Sequence, residues 1–223
     1  MLLEISPDHP EPRKVRRAVE ALLAGEVIAY PTDTVYGLGC DISSKKAIDR
    51  LYQIKPMDRA HPLAFICPDL SEIARYAAVD NQIYRVLRRF LPGPYCFILE
   101  ATKEVPRILQ TKRKTIGIRV PNHAVVTAVV RELGRPIIST TAQRPGQDPH
   151  VDPSEIDEDF KGLGLVIDSG AGGLVPTTVV DLTVSPPEII REGAGPVDDF
   201  VEEAPRSLRS IRDALKELKK EMR

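Results

Sequence analysis

Helical and strand-like segments alternate along this chain, and that alternation is the feature that most constrains its fold. Segments with apolar residues at helical spacing are 11–24, 44–54, 70–90 with a break near Val79–Asp80, and 123–133. Short apolar runs predict strands over 26–30, 62–67, 95–101, 115–121, 136–140, 164–168, 177–183 and 188–193. Because connections are short and several strands are apolar on both faces, we expect an α/β fold (mixed, α+β in some schemes), with helices covering an open sheet.

The length of 223 residues suits one domain with an extension. The sequence changes character after Phe200, where Pro205 opens a segment with apolar residues at a 3-4-3-4 spacing: Leu208, Ile211, Leu215, Leu218 and Met222. The other face of this segment is strongly basic. We therefore predict a main domain over 1–200 and an amphipathic helix over 201–223. This helix is expected to pack against the main domain, with partner binding as the alternative.

Composition argues against several classes of function. The formal net charge is -1, so no overall field attracts nucleic acid or a membrane. Three widely spaced cysteines, Cys40, Cys67 and Cys96, form no Cys/His cluster, so we expect free buried thiols and no metal site. The first residues do not read as a signal peptide, and no apolar run reaches the ~18 residues of a membrane span. These features predict a cytoplasmic protein with no membrane partner.

The stretch YPTDTVYGLGCD, residues 30–41, is polar where it leaves a predicted strand. It carries the hydroxyl groups of Thr32, Thr34 and Tyr36, followed by Gly37 and Gly39. Hydroxyl groups can bind a polar ligand, and glycines allow a close backbone approach. The same composition is typical of a turn whose glycines adopt positive φ. From these residues alone we interpret the stretch as a strand-to-turn-to-helix transition, and a polar turn is favoured over a ligand-binding surface.

A second candidate region lies between the helix over 44–54 and the next strand. The stretch IKPMDRAHPLAF supplies Lys55, Arg59 and His61. A lysine and an arginine near a strand end can hold a triphosphate, the lysine as a point charge and the arginine as a two-pronged donor. A solvated loop is the alternative interpretation.

Basic residues concentrate between 103 and 119. Arg119 differs from the others because it lies inside an apolar strand, where an unpaired charge is unfavourable, so we expect a carboxylate or phosphate partner for it. The run Lys112, Arg113 and Lys114 predicts a solvated turn, with contact to nucleic-acid phosphates as the alternative.

Hydroxyl and amide side chains also follow two later strands. Ser139, Thr140, Thr141 and Gln143 come at and after one strand end, and the last two strands carry Thr177, Thr178 and Arg191. Because open α/β sheets bind ligands at such strand ends, these residues are candidates for a ligand site.

Taken in order, these stretches resemble the YrdC-like family, the threonylcarbamoyl-AMP synthase family, and come closest to its YciO branch. The motifs that carry the resemblance are PTDTVYGLG, LPGPYCFIL, TKEVPRILQTKRKTIGIRVP, PTTVVDLT and IIREGAG. They occur in the family's order over about residues 5–200. The resemblance implies a YrdC-like fold, a twisted open sheet of mixed strand direction with a concave basic cavity. It also implies synthesis of threonylcarbamoyl-AMP from L-threonine, bicarbonate and ATP with Mg²⁺, for modification of the adenosine beside the tRNA anticodon.

The family's motif positions assign roles to individual residues of this sequence. For L-threonine they imply Thr34, Arg119, Ser139 and Thr177, with Arg119 on the carboxylate. For the nucleotide they imply Lys55, Arg59, His61, Thr115, Thr141, Gln143 and Arg191. Lys55 and Arg59 are the implied catalytic pair. The implied reaction needs no nucleophile from the protein, so positioning and charge neutralisation would carry the catalysis.

The nucleotide half of this pattern departs from that of the synthases. Met57 stands where the synthases have the Arg of K-x-R, and Arg59 lies two residues further on. His61 replaces an Asn, Ile66 replaces a His, and Thr141-Ala142-Gln143 replaces S-x-N. An alternative function is therefore a nucleotide-binding or double-stranded-RNA-binding protein of the same fold without synthase activity. A third is a related reaction on a different acceptor.

Overall fold

The structure is a computed structural model and describes residues 1–57, 63–110 and 112–201. Within those ranges, ten strands form one sheet. The strands are β1 (Leu2–Glu4), β2 (Ile28–Tyr30), β3 (Gly37–Asp41), β4 (Ala64–Ile66), β5 (Tyr95–Glu100), β6 (Thr115–Arg119), β7 (Ile137–Thr141), β8 (Leu165–Asp168), β9 (Thr178–Asp181) and β10 (Glu188–Arg191). The segment 202–223, predicted as an amphipathic helix, lies outside the described residues, as do Arg59 and His61.

The sheet mixes parallel and antiparallel neighbours in the order β1-β8-β2-β3-β7-β4-β6-β5-β9-β10. Parallel pairs join β1 with β8, β2 with β8, β4 with β6 and β5 with β9. The other neighbours, including β3 with β7 and β7 with β4, run antiparallel. This arrangement confirms the expected open sheet of mixed strand direction.

Periodicity predicts five of the seven α-helices in the described residues, and the two short helices over 153–159 and 198–201 are additional. In chain order the helices are α1 (Pro12–Leu23), α2 (Lys45–Ile54), α3 (Ile73–Tyr76), α4 (Asn81–Phe90), α5 (Ala124–Leu133), α6 (Pro153–Asp159) and α7 (Asp198–Val201). Asp80 explains the break between α3 and α4, because its side chain accepts a hydrogen bond from the Ile83 backbone and caps α4. None of the helices in the described ranges is long and apolar enough to cross a membrane.

Helices cover the two faces of the sheet unequally. On one face, α1 and α5 pack over β8, β2 and part of β7, with Leu22, Val129, Ile28 and Ile137 in one core. On the other face, residues of α2, α4 and α6 join a larger core that contains Phe65, Ile138 and Phe97. Ile137 and Ile138 belong to different cores because successive strand residues point to opposite faces. Cys40, Cys67 and Cys96 are free and buried, as expected.

The structure corrects one sequence-based interpretation. The stretch after Tyr36 is not a turn that leads into a helix, because Gly37–Asp41 forms β3 and pairs antiparallel with β2. A Cβ atom at Gly37 would lie 2.7 Å from Cζ of Tyr30, and one at Gly39 would lie 2.8 Å from the backbone oxygen of Ile138. These glycines are therefore needed because neighbouring strands approach β3 closely, and neither of them adopts a positive φ. Strand β1 was not predicted from the sequence. Residues 152–159, which carry five carboxylates, contain the short helix α6.

Candidate functional site

A cavity of about 390 Å³ opens on the face of the sheet that α1 and α5 only partly cover. Ile66 marks the boundary, since it belongs to the core under those helices and also lines the cavity. Seven neighbouring strands, β3 to β10 in sheet order, each contribute to the lining with Gly37, Thr141, Ala64, Gly117, Ile98, Val179 and Arg191 among others. The cavity is therefore a product of strand order, because strands distant in sequence form its floor.

Small residues at paired positions on four neighbouring strands leave space above the sheet for the cavity. Gly39 pairs with Ser139, Ser139 with Ala64, and Ala64 with Gly117. A Cβ atom at Gly117 would lie 3.0 Å from Sγ of Cys96. Because side chains at paired positions stand side by side on one face, larger residues here would fill the space above the sheet.

Arg119 lies at the end of β6, is 7% exposed and lines the cavity. Its Nη2 atom lies 3.0 Å from Oγ1 of Thr32, 2.5 Å from Oδ1 of Asp33 and 2.8 Å from Oγ1 of Thr34. The carboxylate partner expected for this buried guanidinium is therefore Asp33. The stretch Thr32–Thr34 thus places three hydrogen-bond acceptors around one nitrogen of Arg119.

A second loop holds the turn that carries these acceptors. The backbone nitrogen of Gly173 donates to the backbone oxygen of Thr34 at 2.7 Å. A Cβ atom at Gly173 would lie 2.4 Å from that oxygen, so only glycine permits this approach. The Tyr36 hydroxyl donates to the backbone oxygen of Gly170 at 2.8 Å, which joins the same two loops. The position of Thr34 is therefore determined by the chain after β8.

Ser139 is buried in β7 and lines the cavity beside this wall. The Tyr30 hydroxyl donates a hydrogen bond to Oγ of Ser139. A phenol is protonated at neutral pH, and burial raises the pKa of Tyr30 further, to about 12, so the hydroxyl remains the donor. Ser139 can therefore direct its own hydroxyl proton elsewhere, towards a ligand or the Thr140 carbonyl oxygen at 3.4 Å.

Lys55 follows α2 directly and is 8% exposed. Its Nζ atom donates to the Thr141 carbonyl oxygen at 2.8 Å and to Oγ1 of Thr140 at 3.0 Å, and it lies 3.4 Å from Oγ1 of Thr141. Burial, with a further contribution from the charge of Arg144, lowers the pKa of Lys55 to about 8. A cation held by neutral oxygens beside a cavity is suited to bind an anion.

Arg191 and Thr177 form the opposite wall. Nη2 of Arg191 lies 2.9 Å from the Thr177 carbonyl oxygen and 3.0 Å from Oγ1 of the same residue, and both residues line the cavity. Thr178 is different, because its hydroxyl donates to the Gly195 carbonyl oxygen at 2.6 Å and thereby holds the chain after β10.

The structure thus brings most of the sequence-predicted site residues together. Arg119, Ser139, Thr141, Thr177 and Arg191 line the cavity. Thr34 joins them through Arg119, and Lys55 joins them through Thr140 and Thr141. The roles given to these residues stay predictions.

Two predicted nucleotide residues are placed differently. Thr115 begins β6 and is not among the cavity-lining residues. The side-chain amide of Gln143 donates to the Gln147 carbonyl oxygen at 2.7 Å. Lys112, Arg113 and Lys114 are exposed in a turn before β6. Across the described ranges, no group of three or more His, Cys, Asp or Glu side chains could hold a metal ion.

Sequence reasoning missed Asp33 and Tyr30, which contact Arg119 and Ser139 directly. Asp33 stands between two hydroxyl-bearing residues that were already candidates. A buried Arg in need of a carboxylate was the available signal, but its partner is 86 residues away and depends on strand order.

Comparison with known proteins identifies the family to which the chain belongs. The family model Sua5_yciO_yrdC, described as "Telomere recombination", matches residues 20–193. The chain belongs to the Sua5/YciO/YrdC family. This membership confirms the resemblance read from the motifs.

Relatives within the Sua5/YciO/YrdC family fall into two groups. YciO of Escherichia coli (strain K12) is 44% identical over 88% of this chain and 97% of its own length. The crystal structure of E. coli YciO has a TM-score of 0.86 and covers 90% of this chain and 98% of that chain. A threonylcarbamoyl-AMP synthase of Serratia proteamaculans is 31% identical over 78% of this chain and 94% of its own length.

A Sua5 structure shares the fold at lower identity. The crystal structure of Pyrococcus abyssi Sua5 complexed with L-threonine has a TM-score of 0.84 at 27% identity. It covers 92% of this chain, whereas this chain spans 61% of the Sua5 chain. The YrdC-like fold expected from the motifs is therefore confirmed by sheet topology and by solved structures.

Proposed function

We propose that this protein makes threonylcarbamoyl-AMP from L-threonine, bicarbonate and ATP, releasing pyrophosphate, and that the product serves tRNA modification. The observation that carries the proposal is the cavity wall formed by Arg119 and Ser139, with Thr34 hydrogen-bonded to Arg119 behind it. A buried guanidinium with hydroxyl groups beside it suits a hydroxylated amino acid. Relatives named as threonylcarbamoyl-AMP synthases and a Sua5 structure with L-threonine support the same substrate.

The proposed chemistry matches the side chains around the cavity. The ammonium group of threonine and bicarbonate combine with loss of one water molecule and one proton, and the new N–C bond gives a carbamate. A carbamate oxygen then bonds to the α-phosphorus of ATP while the bond from that phosphorus to the pyrophosphate oxygen breaks. Arg191 lines the cavity and Lys55 lies behind Thr140 and Thr141 of the lining, so both can supply positive charge to the phosphates, and ATP would bring Mg²⁺ with it. Arg59 is the further cation proposed for the phosphates.

The test is an assay of the purified protein with ATP, Mg²⁺, labelled bicarbonate and L-threonine. We expect labelled threonylcarbamoyl-AMP, and Arg119→Ala should reduce it by about a hundredfold or more because a buried substrate contact is lost. Arg135→Ala is the matched control, since Arg135 pairs with Asp41 and does not line the cavity. No product beside an active reference synthase would contradict the proposal. Other amines in place of threonine would reveal a changed acceptor.

A second candidate function is nucleotide or double-stranded-RNA binding without synthesis. Two observations favour it: Met57 replaces an expected arginine, and the Gln143 amide is directed to a backbone oxygen of its own loop. The test is a salt-dependent shift of duplex RNA, with Lys112, Arg113 and Lys114 all replaced by Ala as the variant. No shift at low salt would rule against RNA binding through this turn.

A further inference from the structure

A groove of about 600 Å³ lies between the N-terminal half of α4 and the turn that joins β9 to β10. Its lining combines two apolar residues, Val86 and Pro187, with four polar or charged ones, Asp80, Asn81, Gln82 and Arg85. Among the described residues, none lines both this groove and the cavity beside Arg119. The groove is therefore a second surface feature, and the proposed synthesis does not use it.

An apolar row on α4 continues from this groove. Ile83, Val86 and Phe90 recur at helical spacing, contact the larger core and remain only partly buried. Leu182 and Ile189, on either side of the β9–β10 turn, are also partly buried. A partly buried apolar row of this kind suits an amphipathic helix that covers it.

The described chain ends beside the α4 row. The ring centroid of Phe200 lies 4.7 Å from that of Phe90. Asp199 pairs with Arg89, with Oδ1 and Nη2 2.5 Å apart. Both contacts hold α7 at the C-terminal end of α4. The chain therefore leaves the described domain at one end of the α4 row.

Residues 202–223 lie outside the described residues, and their sequence has the pattern and the length of such a cover. Apolar residues recur at helical spacing from Leu208 to Met222, so a helix over these 15 residues would be about 22 Å long. Helix α4 has 10 residues and is about 15 Å long. The six residues from 202 to 207 span at most about 20 Å, which is sufficient to bring the segment alongside α4.

The charge distribution also favours docking within the chain. Between Pro205 and Arg223 there are seven basic and three acidic residues, whereas the whole chain has a net charge of -1, so the chain before Pro205 is net acidic. Asp80 lines the groove at the N-terminal end of α4, and Glu188 begins β10 beside it. The basic residues nearest the end of the segment are Lys216, Lys219, Lys220 and Arg223. A segment that starts at the C-terminal end of α4 and runs antiparallel to it brings this basic end towards those carboxylates.

We propose that residues 205–222 form a helix that docks antiparallel to α4, with its apolar face on the row of Ile83, Val86 and Phe90. The occupant of this surface is a segment of the same chain, because that segment begins where the row ends and follows directly after α7. Tethering raises the effective concentration of the segment to about the millimolar range, so docking needs only a modest intrinsic affinity. The matched family region ends at residue 193, and the docking is separate from the proposed synthesis.

Hydrogen exchange of the full-length protein tests the docking. The double variant Ile211→Gln/Leu215→Gln removes two apolar side chains of the segment and alters no residue of the two described cores. The amides of α4 should exchange about tenfold faster in this variant, because α4 opens more readily without its cover. The amides of α5, on the opposite face of the sheet, should exchange at an unchanged rate.

A matched double variant, Asp213→Asn/Glu217→Gln, changes the opposite face of the same segment and should leave the exchange of α4 unchanged. Exchange at the wild-type rate in the Ile211→Gln/Leu215→Gln variant would overturn the proposal. Equal acceleration in both double variants would also overturn it, since the apolar face would then not be the reason.

Cross-linking of the full-length protein determines the direction of the segment and the molecule on which it docks. Gln82→Cys combined with Lys219→Cys should be joined by a short bis-maleimide within one molecule, whereas Gln82→Cys combined with Arg206→Cys should stay unjoined. The three native thiols are buried, which keeps them from the reagent. Joining of both pairs to the same extent would contradict antiparallel docking. Links between two molecules would show that the segment docks on a second copy, and the proposal of docking within one chain would then be wrong.

Discussion

At the scale of single residues, Lys55 connects stability with binding. Burial lowers the pKa of its ammonium group to about 8, so the side chain is charged at pH 7 and largely neutral at pH 9. Affinity for ATP with Mg²⁺ should therefore fall as the pH rises through 8, because the attraction to phosphate is lost. Calorimetric titration between pH 7 and 9 measures this. Lys55→Arg should remove the dependence, and identical profiles for both proteins would count against a role for Lys55.

The same pKa shift makes a prediction about stability. The folded pKa is lowered, so the unfolded chain binds the proton more tightly, and below pH 8 folding carries a penalty of roughly 3 kcal/mol. The penalty decreases as the pH rises from 8 towards the ordinary lysine pKa. Relative to the wild type, Lys55→Met should therefore be more stable at pH 7 than at pH 10, by about 2 kcal/mol. Urea unfolding at both pH values measures the difference, and a pH-independent difference would contradict it.

The residues also show how far sequence reasoning extends. Arg119 could be singled out because a charge inside an apolar strand needs a partner. The identity of that partner could not, because Asp33 reaches Arg119 only after β4, β6 and β7 have assembled. The low pKa of Lys55 likewise depends on burial against β7, which no local pattern records.

At the scale of elements, the row of small residues across four strands makes the cavity. Gly117→Val should fill the floor, since a Cβ atom there would lie 3.0 Å from Sγ of Cys96 and further methyl groups would project above the sheet. Affinity for L-threonine should fall about tenfold or more, while valine suits the strand itself. Calorimetry and thermal unfolding measure the two effects separately.

Gly134 provides the control for that substitution. It ends α5 with a φ of 72° and has no atom within 4 Å of an added Cβ. Gly134→Ala should therefore lower the free energy of unfolding by about 1 kcal/mol through backbone strain, with no effect on affinity for L-threonine. If both glycine variants lost affinity to the same degree, the cavity floor would not be the reason.

Helices and strands could be predicted where the apolar residues of a single segment follow a regular spacing. Strand β3 is an element for which such a pattern was not sufficient. Its sequence, GLGCD, contains the residues of a turn, and only the ring of Tyr30 and the backbone of Ile138 explain why glycine is needed in a strand. Strand β1 has three residues and gains its place by parallel pairing with β8, 164 positions further along. Both depend on contacts between distant segments, and a pattern within one segment does not contain them.

At the scale of the whole molecule, the sheet order determines which residues line the cavity. Among the described residues, those that line the cavity lie between Val35 and Arg191, and the two cores extend from Ile5 to Phe200. The last contributor is Phe200, which is 5% exposed, with its ring centroid 4.7 Å from that of Phe90 and 6.1 Å from that of Tyr95. The domain boundary at residue 200 stays a prediction, because residues 202–223 lie outside the described part of the chain.

Two truncated chains test that boundary. A chain that ends at Val201 should unfold cooperatively and bind L-threonine with unchanged affinity, because the residues that form the cavity and cores remain. A chain that ends at Pro196 loses Val197 and Phe200, both buried, and should be less stable by about 3–5 kcal/mol, comparable to removal of a core Phe. Thermal unfolding and calorimetry measure both chains. Loss of binding in the longer chain would show that residues 202–223 belong to the functional unit, and the boundary at Phe200 would then be wrong.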